Sequence, residues 1–479
     1  MTLVSTSAGS AAEQVAEQVA DTAPGEWTLP GHATVTRLDN GLTVCLLSNR
    51  SAPVVTTALW YRVGTRDETP AEAGAAHFLE HMMFKGSERY GPGEVDRRTQ
   101  ALGGSNNAFT SHDATVYHFN FAPLHWREAL AIEADRMRGL TLDPDEVGSE
   151  RRVILEEIAM YEAEPWDALD QKVSAAHYPG HAYGLPVLGT AASLAEIGRD
   201  ELAAFHRRFY RPGNAVLVVA GDVGAEDLVV VEEHFAAIPA RDGSGDGNVN
   251  LSGGDPPGAV STSATSAAGP RHVEQRKGEV ARLLASFPAP EAGHPDHAAL
   301  QVASTVLGSG RSSRLYRRLV DEEQLCVWVA TDLSESVEPG GLTVAAELIP
   351  GIDPARVEEV VLEEVAGLAG RPPDGGELER ARRVLRADWV LGHERVYQQA
   401  LAAGFGLAML GDLHHPGRQL ARSLATTAEE LASAARRHLT PEGAVIGWSL
   451  PKGENGTATS DDASDEASDT ASDAAEANA

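Results

Sequence analysis

The sequence predicts an α+β fold of two homologous α/β-sandwich domains, each a mainly antiparallel sheet with helices. Three observations carry this reading. Strand-like and helix-like runs follow the order strand–helix–helix–strand–strand–helix twice along the chain. A Gly-, Ser-, Asp- and Pro-rich stretch at 241–270 separates the two series. A chain of 479 residues with 42% hydrophobic composition has enough apolar material for two cores. The organisation read from this is an N-terminal segment (1–28), a first domain (29–240), a linker (241–270), a second domain (271–452) and a tail (453–479).

The elements follow in order. ATVTRL (33–38) and LTVCLL (42–47) flank Asp39-Asn40-Gly41, a turn tripeptide tolerant of positive φ, and read as a hairpin. VVTTALWYRV (54–63) is a strand, and a helix is expected from Ala71 to Lys85. A strand at 111–123 precedes helices at 125–139 and 144–164. The strand NAVLVVAGDV (214–223) and a helix at 225–238 close the first series. The second series has a strand at 280–290, helices at 294–309 and 312–325, strands at 326–333 and 340–350, and a helix at 354–370.

Composition excludes several classes. A net charge of -31 opposes nucleic-acid binding, which needs a basic surface. No apolar run is long enough to span a membrane. The first 30 residues hold no Lys or Arg, so no secretory or Arg-rich transit signal is expected and the predicted location is cytoplasmic. Cys45 and Cys326 build no disulfide framework and read as buried apolar residues. Residues 1–28 and 453–479 read as disordered; the tail carries eight acidic residues and no basic ones.

The chemistry concentrates in His77-Phe78-Leu79-Glu80-His81. On a helix, positions i and i+4 share a face and i+3 lies beside both. His77 and His81 can aim two imidazoles at one Zn²⁺, with Glu80 placed as a general base; the spacing is the inverzincin pattern. A third ligand is expected from a second helix. Glu150 and Glu157 stand seven apart, on one stripe with Val153 and Ile154, whereas Glu156 is rotated about 100° from Glu157. Glu157 is the candidate ligand and Glu150 the carboxylate that orients the site.

HFLEHMMFKGS (77–87), with Glu157 following His81 by 76 positions, resembles the pitrilysin family of zinc peptidases, and in particular its two-domain members of the mitochondrial-processing-peptidase β-subunit type. GGSNNAFTSHDATVYHF (103–119), YGLPVLGTAASLAEI (183–197) and FYRPGNAVLVVAGDV (209–223) resemble further family segments in the same order. The resemblance implies Zn²⁺ held by His77, His81 and Glu157, with Glu80 and Glu150 in the catalytic machinery. It also implies a substrate peptide added beside Asn107, Ala108 and Phe109, and a fold that is half of a clamshell chamber.

One departure matters. Family enzymes use an Arg and a Tyr, seven apart, to hold the substrate carbonyl or oxyanion. The matching positions here are Val320 and Val327, and neither side chain can donate a hydrogen bond. Arg317 and Arg318 lie near, on other helix faces. The resemblance therefore implies a metalloendopeptidase acting on peptides or leader segments, working as a heterodimer with a homologous non-zinc partner that brings the Arg and Tyr; a homodimer is the weaker fit. Two rival readings are a dedicated maturation protease for a ribosomally made peptide and a non-catalytic core subunit. The acidic body favours basic peptides through long-range steering.

Overall fold

The computed structural model describes residues 27–240 and 269–452. The N-terminal segment up to residue 26, all but the end of the expected linker and the acidic tail lie outside the described residues. Trp27, assigned by sequence to the N-terminal segment, packs edge-on against Trp389 at 6.4 Å.

The first sheet has the order β1-β2-β6-β3-β5-β4, from β1 (His32–Arg37), β2 (Thr43–Ser48), β3 (Val55–Tyr61), β4 (Ser105–Thr110), β5 (Thr115–Phe121) and β6 (Ala215–Gly221). Only β2 and β6 run parallel. The second sheet has the order β7-β11-β8-β10-β9, from β7 (Arg271–Arg276), β8 (Arg282–Ala289), β9 (Cys326–Leu333), β10 (Gly340–Leu348) and β11 (Val445–Leu450). Its single parallel pair is β7 with β11. Laid over β2-β6-β3-β5-β4, the second sheet repeats every pairing and direction; β1 is an addition to the first.

Helices fill matching slots. Between β3 and β4 run α1 (Ala75–Met82) and α2 (Glu94–Ala101); after β5 come α3 (Arg127–Arg138), α4 (Pro144–Ala163) and α5 (Pro165–His177). The short α6 (Ala191–Glu196) and α7 (Arg199–Phe209) precede β6, and α8 (Leu228–Phe235) follows it. In the second domain α9 (His297–Gly308) and the short α10 (Arg314–Tyr316) lie between β8 and β9. Then α11 (Pro354–Gly370), α12 (Gly375–Gly392), α13 (Val396–Leu410), α14 (His415–Ala425) and α15 (Ala428–His438) lie between β10 and β11.

Strand β6 shows why its sequence is an unbroken apolar run. Leu217 and Val219 face the core shared with α1 and α3. Val216, Val218 and Ala220 face a second layer built from α13 of the other domain. A strand covered on both faces has no solvent side to mark with polar residues. The cover is reciprocal: Leu169 and Val173 of α5 pack on Leu284 and Val445 of the second sheet. Each crossing helix comes in at a glycine. A Cβ on Gly404 of α13 would sit 2.0 Å from the Trp60 indole nitrogen, and one on Gly447 of β11 would sit 2.3 Å from a Val173 methyl.

Several expected boundaries move. The helix expected at 71–85 is shorter, because Pro70–Glu72 forms a 3₁₀ turn and Gly74, at φ 92°, starts the α-helix afresh. The strand expected from 111 begins at Thr115; residues 111–114 are the turn that joins β4 to β5. The helix expected at 312–325 is α10 followed by a π-helical turn, Arg317–Glu322. No helix among the described residues is long and apolar enough to cross a membrane.

Candidate metal centre and active site

Helix α1 is short and almost wholly inside the protein: Ala75, Ala76, Phe78, Leu79 and Met82 are buried in the first core. Its N-terminus is capped from outside. The Glu68 carboxylate accepts the backbone N–H groups of Gly74 (2.9 Å) and Ala76 (2.8 Å), satisfying two of the donors that an α-helix leaves open. This anchors the turn that carries His77, Glu80 and His81.

His77 and His81 lie side by side, ring centroids 4.6 Å apart. Glu157 on α4 faces both: its Oε2 is 3.8 Å from His77 Nε2 and 3.6 Å from His81 Nε2. Two ligand atoms at zinc–ligand lengths in a tetrahedral site stand ~3.4 Å apart, so both carboxylate–imidazole separations fit Zn²⁺ with a contraction of a few tenths of an ångström, and all three ligand atoms lie within 4.8 Å of one another. Nitrogen and carboxylate oxygen are donors that zinc accepts, and three of them leave a position open.

Glu150, 5% exposed, sits one layer behind. Its Oε1 accepts the Nδ1–H of His81 at 2.8 Å and its Oε2 pairs with Lys85 Nζ at 2.6 Å. This bond leaves His81 Nε2 as the nitrogen that faces His77 and Glu157, where it could hold a metal. Burial pushes Glu150 up, but the bonds from His81 and Lys85 outweigh it and hold its carboxyl below the usual range. His81 is raised: burial opposes its charge, and Glu150, Glu80 and Glu157 together overcome that. Burial, with His81 beside it, pushes His77 down to about 3, so it is a neutral imidazole throughout the ordinary pH range. Burial raises Glu80, and a hydrogen bond from Thr110 partly offsets this.

Glu150 and Glu157 both face His81 from α4, and Ile154 between them is buried, whereas Val153 is 45% exposed. On β4, the edge strand of the first sheet, Ala108 packs toward the core on the α1 side. Phe109 turns to the opposite face and meets Trp60 edge-on at 6.0 Å. Asn107 is exposed, its Oδ1 accepting the Ala108 N–H at 2.9 Å. Any contact between Phe109 and a peptide at the metal side must therefore use its backbone. The residue that sequence reasoning left without a role is Thr110, whose hydroxyl reaches Glu80. It stands in the quoted segment, but 30 positions from Glu80, and only the sheet brings the two together.

Val320 lies in the π-helical turn, and Val327 is 55% exposed on β9, the edge strand of the second sheet. Arg318 is not a replacement donor, being held by Glu323 (2.9 Å), Glu363 (2.6 Å) and Glu364 (3.0 Å). One other cluster of ligand-type side chains occurs among the described residues: His294, Asp296 and His438. There Arg437 grips both Asp296 oxygens, at 2.9 and 2.6 Å, and His438 takes a third contact at 2.9 Å, which is an ion-pair arrangement.

Residues 43–191 match the family model described as insulinase (peptidase family M16), and residues 196–385 match the peptidase M16 inactive domain. A zinc protease of Mycobacterium leprae is 34% identical over 368 residues, 77% of this chain and 78% of that protein. The chain belongs to peptidase family M16. Its M16 fold also matches the crystal structure of a protease from Helicobacter pylori, with TM-score 0.80 at 23% identity, covering 88% of this chain and all of that one. The mitochondrial-processing peptidase β subunit of Blastocladiella emersonii is 33% identical over 210 residues, 44% of this chain and 45% of that protein. The M16 family is one of zinc metallopeptidases, and the HxxEH–Glu geometry described above lies within the first matched region.

Proposed function

We propose that this M16 chain is the zinc-bearing subunit of an endopeptidase for extended peptides or leader segments, completed by a homologous partner. The observation that carries the reading is the pairing of an intact His77–His81–Glu157 triad with valines at 320 and 327. The zinc half of the machinery is present, and the oxyanion donors are absent.

His77 Nε2, His81 Nε2 and Glu157 Oε2 would hold the metal, and Glu150 and Lys85 fix the His81 ring. Zinc bound there supplies a Lewis acid that acidifies water and polarises the scissile carbonyl. Glu80 accepts the proton of the attacking water and delivers it to the leaving amine; burial, by raising its pKa, brings it closer to the operating range of a general base. The β4 edge offers backbone groups to a peptide laid alongside, which reads extended shape more than side-chain identity. Absence of an oxyanion donor typically costs about 100- to 1000-fold in rate, so a partner that brings Arg and Tyr restores most of the activity.

The test is to assay one quenched peptide with the chain alone and with a homologous subunit lacking zinc ligands. The pair should exceed the lone chain by about 100-fold or more. Full activity from the lone chain would overturn the partner requirement, and activity surviving Glu80→Gln with zinc retained would overturn the role of Glu80 as the general base.

A further inference from the structure

We propose that Thr110 is the positioning residue for Glu80, coupling the strand on which a peptide is laid to the base that serves its cleavage. This rests on the reading of Glu80 as general base. Thr110 is the last residue of β4, and its Oγ1–H donates to Glu80 Oε2 at 2.5 Å, a charge-assisted bond at the short end of the range. One carboxylate oxygen is thereby engaged. Oε1 has no protein partner among the described residues and is free to take the proton.

A hydroxyl can position a carboxylate only if its own backbone is held, and Thr110 is held from both sides. Before it, Phe109 is packed on Trp60. After it, the turn at 111–114 is bound to the segment that leads into α1: Thr65 N–H donates to Ser111 O at 3.3 Å and Arg66 N–H to His112 O at 3.1 Å. Gly64 allows that approach, since a Cβ there would lie 2.3 Å from Ser111 O. Two residues on from Arg66, Glu68 caps α1 itself.

The second domain joins the same frame. Asp113, 8% exposed, accepts from Tyr183 Oη (2.6 Å) and from the Val337 N–H (3.1 Å), and pairs with Arg66 (3.0 Å). The Thr110 backbone and the start of α1 are thus one unit, braced by a loop of the inactive domain. Threonine suits the role because branching at Cβ restricts its rotamers. A peptide that pairs with β4 stiffens the strand whose last side chain aims the base.

The experiment compares wild type, Thr110→Val and Thr110→Ser, each full-length and with its activating partner, on one quenched peptide. Valine keeps the shape and removes the donor; serine keeps the donor. Thr110→Val should lower kcat about 10- to 100-fold, with KM within about twofold and zinc content unchanged. Thr110→Ser should recover to within about threefold of wild type. Unchanged kcat in Thr110→Val overturns the proposal, and so does equal loss in both variants or loss of zinc. A crystal structure of Thr110→Val keeps the inference separate from the activity assignment. The Glu80 carboxylate should leave its present position, and a carboxylate that stays overturns the proposal even if no peptide is ever cleaved; inactivity of wild type with its partner counts against the peptidase reading alone.

Discussion

Helices α1 and α9 occupy the same slot in two copies of one topology, each following the central antiparallel strand and preceding the edge hairpin. In α9 every residue from His297 to Gly308 except Gln301 is buried, and its one histidine gives both ring nitrogens to structure: Nδ1 to Gln419 (2.8 Å) and Nε2 to the Ser334 carbonyl (3.1 Å). In α1, His81 gives only Nδ1, to Glu150, and keeps Nε2 for the shared space with His77 and Glu157. The same contrast holds at the edge strands. β4 ends in Thr110 beside Glu80, whereas β9 carries Val327 exposed at the position where a tyrosine would donate. One fold thus serves chemistry in one copy and bracing in the other. What separates them is which polar atoms are left without a structural partner.

The largest way to sharpen this contrast is at the base. Glu80→Gln should lower kcat by about 100- to 10,000-fold while metal analysis still finds zinc, because glutamine keeps the shape and cannot take a proton. A graft tests the second domain. Val320→Arg with Val327→Tyr should raise the peptide turnover of the chain without its partner at least tenfold, if a second copy can present the new donors; no gain in a concentration series would show that the partner supplies more than these two groups. Glu150→Gln should weaken zinc binding about 10- to 100-fold in a chelator competition, since the partner of His81 Nδ1–H loses its charge.

A smaller effect follows from His81. Its pKa lies above the ordinary 6.5, so binding zinc displaces a proton from it below that raised value. Apparent zinc affinity should therefore be level at high pH and fall about tenfold for each unit below the His81 pKa, with the break moving to lower pH in Glu150→Gln. The smallest effect concerns the crossing helices. Gly447→Ala pushes Val173 off the second sheet and Gly404→Ala pushes Trp60 off α13, each costing about 1–3 kcal/mol in denaturant unfolding. Equal costs would mean that the two reciprocal contacts support the domains equally.

Much of the site was legible because it is local. His77, Glu80 and His81 lie within one and a bit turns of helix, where spacing alone defines a face. Glu150 and Glu157 were legible for the same reason on α4. Thr110 was not legible, since nothing in a strand's pattern says which helix its last side chain will touch. Nor were α5 and α13 recognisable as covers, because the apolar surfaces they shield belong to the other domain.

Sequence by itself carried the order of strands and helices as far as Gly370, the duplication, the helical spacing of His77, Glu80 and His81, and the side chains without a donor at Val320 and Val327. These depend on residue type and on periodicities of two and 3.6, which operate over a few residues. Only the tertiary structure decided that α5 and α13 exchange sheets, that Thr110 meets Glu80, and that Asp113 links the inactive domain to the end of β4. Those pairings join residues tens to hundreds of positions apart. They arise because each sheet has a second apolar face to cover and each buried polar atom must find a partner, conditions that only the whole fold can meet.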